Sequence, residues 1–246
     1  MNFHPYKEGY NTLPKLLKLS TPIFLHKINE EILKLKLESV KNQTVFAEKD
    51  MTEEIYEAIC NFIVSQVPDL KPPYTFENLA MQLVEDLVIH RIKDGKNWTS
   101  AAHVCFPAGW YPEKVVGQSF FETHCEIPMN VANGDKLMKA AIVSGPFERF
   151  VWSVSTEKLW NRHPTVERKK FDPKNPSVYV IVERQIIYGF PKLECFLFAL
   201  QQYFIAEDEI DKQALITALN NMTPEQMKYK SINKEYIDML KTHWSL

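Results

Sequence analysis

The sequence predicts a single α+β domain, and three observations carry that prediction. The first third of the chain spaces its apolar residues for helices, the middle turns to short β-branched runs, and the end returns to helical spacing. At 246 residues the chain has room for one large core with helices wrapped around it. The expected organisation is one domain over 1–246, with a helical wrap over 1–84, a sheet-bearing core over 85–205 and C-terminal helices over 206–246.

From the N-terminus, Ile28, Ile32 and Leu35 share one face of a first helix. Asp50 and Glu53 are spaced as a capping pair, and behind them Ile55, Ile59, Phe62 and Ile63 make an apolar stripe that ends before Pro68. Pro72-Pro73 breaks the chain. Thr75 can cap the next helix, whose Phe76, Leu79, Ala80, Leu83 and Val84 fall at i, i+3, i+4, i+7 and i+8.

The period then changes. Asp86 to Ile92 and Thr99 to Phe106 read as strands joined at an Asp94-Gly95 turn, a hairpin that Pro107-Ala108-Gly109 ends. Tyr111 to Pro128 reads as irregular or short helices, and Asn133 to Val143 as a helix with Leu137, Met138, Ala141 and Ile142 inward. Three strands follow: Phe147 to Ser155, Ser177 to Phe190, and Cys195 to Ile205 after a turn at Pro191-Lys192-Leu193-Glu194. Asp208 starts a further helix, and Thr223-Pro224-Glu225-Gln226 is a capping box that starts another. Two antiparallel strands, a helical crossing and three antiparallel strands are the chain order of a PAS-like five-stranded sheet, here with helical N- and C-terminal extensions.

Composition removes several function classes. Apolar residues are 45% and charged residues 24% of the chain, and the net charge is −2, so no phosphate-neutralising surplus favours a nucleic acid partner. Arg168-Lys169-Lys170 is read as a solvated loop. No uncharged apolar run is long enough for a membrane span, and Met1 to Tyr6 lacks the pattern of a signal peptide. Asn97-Trp98-Thr99 and Asn221-Met222-Thr223 are therefore chance matches to a glycosylation acceptor. Cys60, Cys105, Cys125 and Cys195 are scattered without a C-x-x-C, which predicts reduced thiols in a cytoplasm. The chain has seven glycines, and the closest pair, Gly109 and Gly117, is too widely spaced for a P-loop or a dinucleotide fingerprint. A G-x-S-x-G elbow is also missing.

The long strand over Ser177 to Phe190 carries the first chemical signal. Val180, Val182, Arg184 and Ile186 share one of its faces, and Tyr179, Ile181, Glu183, Gln185 and Ile187 share the other. An arginine in so apolar a run needs an anionic partner. That partner is either a carboxylate of the chain or the carboxylate of a ligand, for which a planar guanidinium is suited. His124 follows Phe120-Phe121 in the irregular crossing, where a neutral imidazole can be the one protein ligand of a haem iron, or a plain hydrogen-bonded histidine. His103 with Cys105 and His124 with Cys125 do not have the spacing of a zinc site. His163 reads as a loop residue, while His90 and His103 lie on the hairpin, where either could face a pocket. Phe106, Trp110, Phe120, Phe121 and Trp152 would supply apolar wall, or plain core.

Five blocks in order go beyond residue chemistry. Cys105-Phe106-Pro107-Ala108-Gly109-Trp110 resembles a C-F-P-S-G-W segment. Lys114-Val115-Val116-Gly117 followed by His124-Cys125-Glu126-Ile127-Pro128 resembles a K-I-G and H-x-P-V-P stretch. Arg149 with Trp152-Ser153 resembles R-x-N-W-S, Glu183-Arg184-Gln185 resembles E-R-Q, and Leu197-Phe198-Ala199-Leu200 with Tyr203 resembles a closing L-F-T-I-R-T-Y strand. With these blocks in this order, the chain resembles the family of the haem-dependent oxidative N-demethylase α subunit.

The resemblance implies a PAS-like domain that encloses haem b with histidine ligation and uses O2 to demethylate a small secondary amine. It also implies electrons from a separate reductase subunit; an oligomer is left open. By block membership, His124 is the expected iron ligand. Arg184 is the expected propionate partner or a structural pair, and Phe106, Trp110 and Trp152 are the expected haem contacts. The sequence departs from the family pattern at Val151 (Asn), Gln201 (Arg) and Glu126 (Pro), so the family's amine specificity is not carried over. Two non-enzymatic readings stand beside this one: a haem- or small-ligand-binding module without turnover, and a scaffold without cofactor.

Overall fold

A computed structural model describes residues 3–12, 15–125, 134–169, 171–172, 174 and 176–246, with the backbone alone for 134 and 135. Glu126, Ile127, Pro128, Asn133 and Lys170, which the sequence reading singled out, lie outside the described residues. The fold is α+β, built on one antiparallel sheet.

Helix α1 (Glu30–Asn42) starts at Asn29, whose side chain accepts from the Ile32 N–H. Helix α2 (Glu53–Gln66) is capped by Thr52 accepting from Ile55, which replaces the Asp50–Glu53 pair expected from spacing. Asp50 itself turns the chain at φ 58°. Thr75 caps α3 (Phe76–Met81) as expected, but α3 stops short of Leu83, which forms a β-bridge to Lys27. Strands β1 (Leu17–Lys18) and β2 (Phe46–Glu48) interleave with these helices.

The hairpin is β3 (Asp86–Lys93) and β4 (Lys96–His103), with Asp94 and Gly95 both at positive φ, as a two-residue turn of the hairpin hand requires. The crossing holds α4 (Pro112–Val115), α5 (Phe120–Thr123) and α6 (Gly134–Val143). The meander is β5 (Phe147–Ser155), β6 (Tyr179–Phe190) and β7 (Cys195–Ala206). Helices α7 (Lys212–Asn220), α8 (Pro224–Tyr229) and α9 (Lys234–Trp244) close the chain, α8 with the capping box read at Thr223 and Gln226.

The strands lie in the order β1-β5-β6-β7-β3-β4-β2, all antiparallel. The sheet thus has seven strands and not the expected five, because β1 and β2 add short edges to β5 and β4. The five long strands sit together in the middle, where β7 pairs β3 and makes the hairpin and meander one surface.

Alternation along the strands divides the core. One face, here the flanking face, carries Leu87, Ile89, Leu197, Ala199 and Ile186 under α2 and α3, and Val180, Val182 and Ile205 under α7 and α9. These side chains are buried. The opposite face, the crossing face, looks toward α4–α6. There Arg149, Val151, Glu183, Gln185, Phe198 and Phe204 stay half-buried.

Candidate functional site

The crossing face gathers the side chains with chemistry. His124 caps the end of α5, and its Nδ1 lies 2.7 Å from the Phe120 carbonyl oxygen. A carbonyl only accepts, so Nδ1 carries the proton and donates. Burial holds the imidazole below its ordinary pKa, so the ring is neutral near pH 7 with its lone pair on Nε2. No described residue bonds Nε2. An imidazole oriented by a carbonyl at Nδ1, with its lone pair on Nε2, has the arrangement of a metal-ligating histidine.

An apolar wall surrounds it. The His124 ring lies 4.2 Å from that of Phe120, which packs with Phe196, Phe198, Met138 and Ile142. Phe198 also packs against a neighbouring cluster of Val88, Ala102, Val104 and Leu200, against which Trp110 packs as well. His90 stacks on Phe196 at 5.1 Å, with Nδ1 3.4 Å from Thr99 Oγ1. Burial pushes its pKa down to about 3, with a smaller push from His124.

Beside this wall lies a charged cluster. Arg149 pairs in register with Gln185 on β6, and Gln185 donates to Glu183. Arg162 reaches the same face, where Nη1 donates to Ser153 Oγ at 3.4 Å and Nε is buried with no partner among the described residues. Lys230, at the end of α8, lies over the rings of Tyr10 and Tyr229. Burial holds the Glu183 carboxyl above its ordinary range against the pull of Arg162 and Lys230. The same loss of water lowers Arg149 and Arg162 and brings Lys230 down to about 8, with Glu183 opposing each shift. Among the described residues no carboxylate comes within ion-pair distance of any of the three cations.

The predicted site residues divide between the two faces. Trp110 packs against the cluster of Val88, Ala102, Val104 and Leu200, which borders the His124 wall at Phe198. Phe106 packs in a separate cluster with Ile32, Val45 and Cys105, at the start of the loop that leads to Trp110. Asp86 Oδ2 accepts the Phe106 N–H at 2.8 Å, Gln202 donates to its carbonyl, and its ring packs on Trp160. Asp86 is fixed in turn by the fully buried Lys36 at 3.1 Å. Trp152 lies on the flanking face in the core under α7 and α9, donating to the Gly9 carbonyl. Arg184 also lies there and pairs with Glu148 at 3.1 Å, the ion pair within the chain that the sequence left open as its alternative. Neither is brought together with His124.

Sequence reasoning did not single out Arg149, Glu183, Arg162 or Lys230 as site residues. Strand alternation could have found the first two, since both lie on the face opposite Arg184. Nothing local marks Lys230, which only the tertiary fold brings in. His163, next to Arg162 in the chain, is buried with its Nε2 3.9 Å from Glu113. Among the described residues no three His, Cys, Asp or Glu side chains converge on a metal position, and none of the helices is long and apolar enough to cross a membrane. A haem iron needs only one protein ligand.

No curated protein matches the chain. A family model described as "Haem-dependent oxidative N-demethylase, alpha subunit-like" matches residues 31–239. That span holds His124, its apolar wall and the whole charged cluster around Glu183. The chain belongs to the haem-dependent oxidative N-demethylase α-subunit-like family.

Proposed function

We propose that the chain is an oxidoreductase subunit that binds haem b through His124 Nε2 and demethylates a small methylated amine with O2. The observation that carries this reading is the Nδ1–H bond to the Phe120 carbonyl, because it fixes the tautomer and leaves the ligating lone pair on Nε2. The residues present fit the group. One neutral imidazole suits a porphyrin iron better than a bare metal ion, which would need three or four ligands. Trp110, Phe120, Phe196 and Phe198 offer the apolar surface a macrocycle requires. A PAS-like core is part of the proposal, supported by the hairpin, the helical crossing and the meander that closes on β3.

Haem, when bound, supplies O2 activation and oxidation of the N-methyl carbon. The chain's own residues do the rest. His124 fixes the iron's place on the crossing face. The aromatic wall excludes water and so limits unproductive loss of electrons. The Lys36–Asp86 pair and Gln202 hold the Phe106 backbone, and with it the loop that carries Trp110. Release of the methyl carbon as formaldehyde, with O2 reduced to water, takes two electrons and two protons from outside. The four cysteines are dispersed thiols rather than an iron–sulfur ligand set, so the electrons come from a separate reductase partner. Free thiols also suit a reducing cytoplasm.

Expression with haem supply, followed by absorption spectroscopy, tests the reading. A Soret band in the wild type that is lost in His124→Ala and kept in His90→Ala is the expected result. A wild type with no band would sink haem binding and favour a scaffold. A band without turnover of dimethylamine or a related methylated amine, given a chemical reductant, would leave a haem-binding module.

A further inference from the structure

We infer that Arg149, Arg162 and Lys230 form the seat of the two propionate carboxylates of haem, an inference that rests on the haem reading above. Charge is the first reason. Three cations act on the one carboxyl of Glu183 in a half-buried cluster, which leaves a surplus of positive charge. Removing such a surplus from water is unfavourable unless an anion completes it. No described carboxylate does so. Haem b carries two carboxylates on one edge, which would offset that surplus.

The donors point the same way. Arg162 keeps a buried Nε with no partner among the described residues, a strong donor left waiting for an acceptor. Its Nη1 is only weakly engaged, at 3.4 Å from Ser153. Lys230 rests on two aromatic rings and makes no ion pair with a described residue. Position agrees as well. Arg149 pairs with Gln185, which shares its face of β6 with Ile187, and Ile187 and Phe120 pack against the same apolar cluster, so the charged groups lie on the His124 side of the sheet. A cationic amine substrate would be repelled by this cluster, whereas an anionic cofactor edge would neutralise it. Arg184 cannot serve, because it is paired with Glu148 on the other side of the sheet.

The test is an absorption titration of the purified, haem-free chain with haemin and with haemin dimethyl ester, which lacks the carboxylate charges. Wild type is expected to bind haemin at least about ten-fold more tightly than the ester, the scale of charge-assisted hydrogen bonds. Lys230→Met and Arg149→Gln are each expected to weaken haemin while leaving ester affinity unchanged. Lys230→Met is the arm least exposed to misfolding, since among the described residues that side chain packs on two rings and makes no hydrogen bond or ion pair. Equal affinity for the two porphyrins, or variants that lose both equally, would overturn the propionate seat and leave haem binding intact. No spectral change with either porphyrin in wild type would overturn the haem reading, and this inference with it.

Discussion

At the scale of single residues, the buried histidines set how the chain meets acid. His90 and His103 are both driven down to about 3 by burial, so each is neutral in the folded state across the ordinary range. In the unfolded chain they take a proton near 6.5. The unfolded state therefore binds more protons below that value, and stability falls as pH drops. The contribution is fully present above pH 6.5 and is lost progressively toward about 3. His103 also carries a buried Nδ1 with no partner among the described residues. Its ring lies near Phe46, at 6.2 Å. His103→Phe keeps the ring and removes the titration. Urea midpoints measured across this window should fall less steeply for the variant than for wild type. Parallel slopes would mean that His103 is hydrated in the fold.

At the scale of elements, the tightest constraint is the contact of α6 with β6. A Cβ built at Gly189 would meet the Ile142 carbonyl oxygen at 1.9 Å, so α6 lies against the strand where no side chain can fit. Gly189→Ala should cost about 1–3 kcal/mol or more through overpacking. It should also shift α6, which carries Met138 and Ile142 against Phe196 and Phe198. Denaturant melts would read the first effect and the haem Soret position the second; an unchanged pair would show that α6 can slide freely. Much of this architecture was legible beforehand. Asp94-Gly95 marked the hairpin, Thr223 marked α8, and β-branched runs marked β5 to β7, because each signal is local. Edge strands β1 and β2 were not legible. At two and three residues they show no alternation, and only their pairing with β5 and β4 makes them strands. The site was half legible for a similar reason. Alternation separated Arg184 from Glu183, but nothing in the sequence says which face a ligand would meet. Lys230 enters from the far end of the chain, beyond the reach of any spacing argument.

At the scale of the whole molecule, the two terminal segments hold each other on the flanking face. Tyr6 is fully buried among Leu215, Leu219, Ile237 and Val180, and its hydroxyl accepts from the Asp211 N–H at 2.9 Å. Phe3 offers its carbonyl to the Tyr203 hydroxyl at 2.6 Å, and Gly9 accepts from Trp152. The N-terminal segment is thereby a wedge between the sheet and helices α7 and α9. Removing its anchor should weaken more than the wedge, because those helices would lose one wall of their core. Tyr6→Ala is expected to cost about 3–5 kcal/mol, the range for truncating a large buried aromatic. If the chain is one cooperative domain, that loss spreads evenly. Hydrogen exchange under native conditions should show slow amides of β7 and α9 losing protection by the same amount. Loss confined to α9, with β7 unmoved, would instead mark the C-terminal helices as a separate unit that opens on its own. The sheet that carries His124's wall would then be stable without them, and Lys230 would reach the charged cluster only while they stay docked.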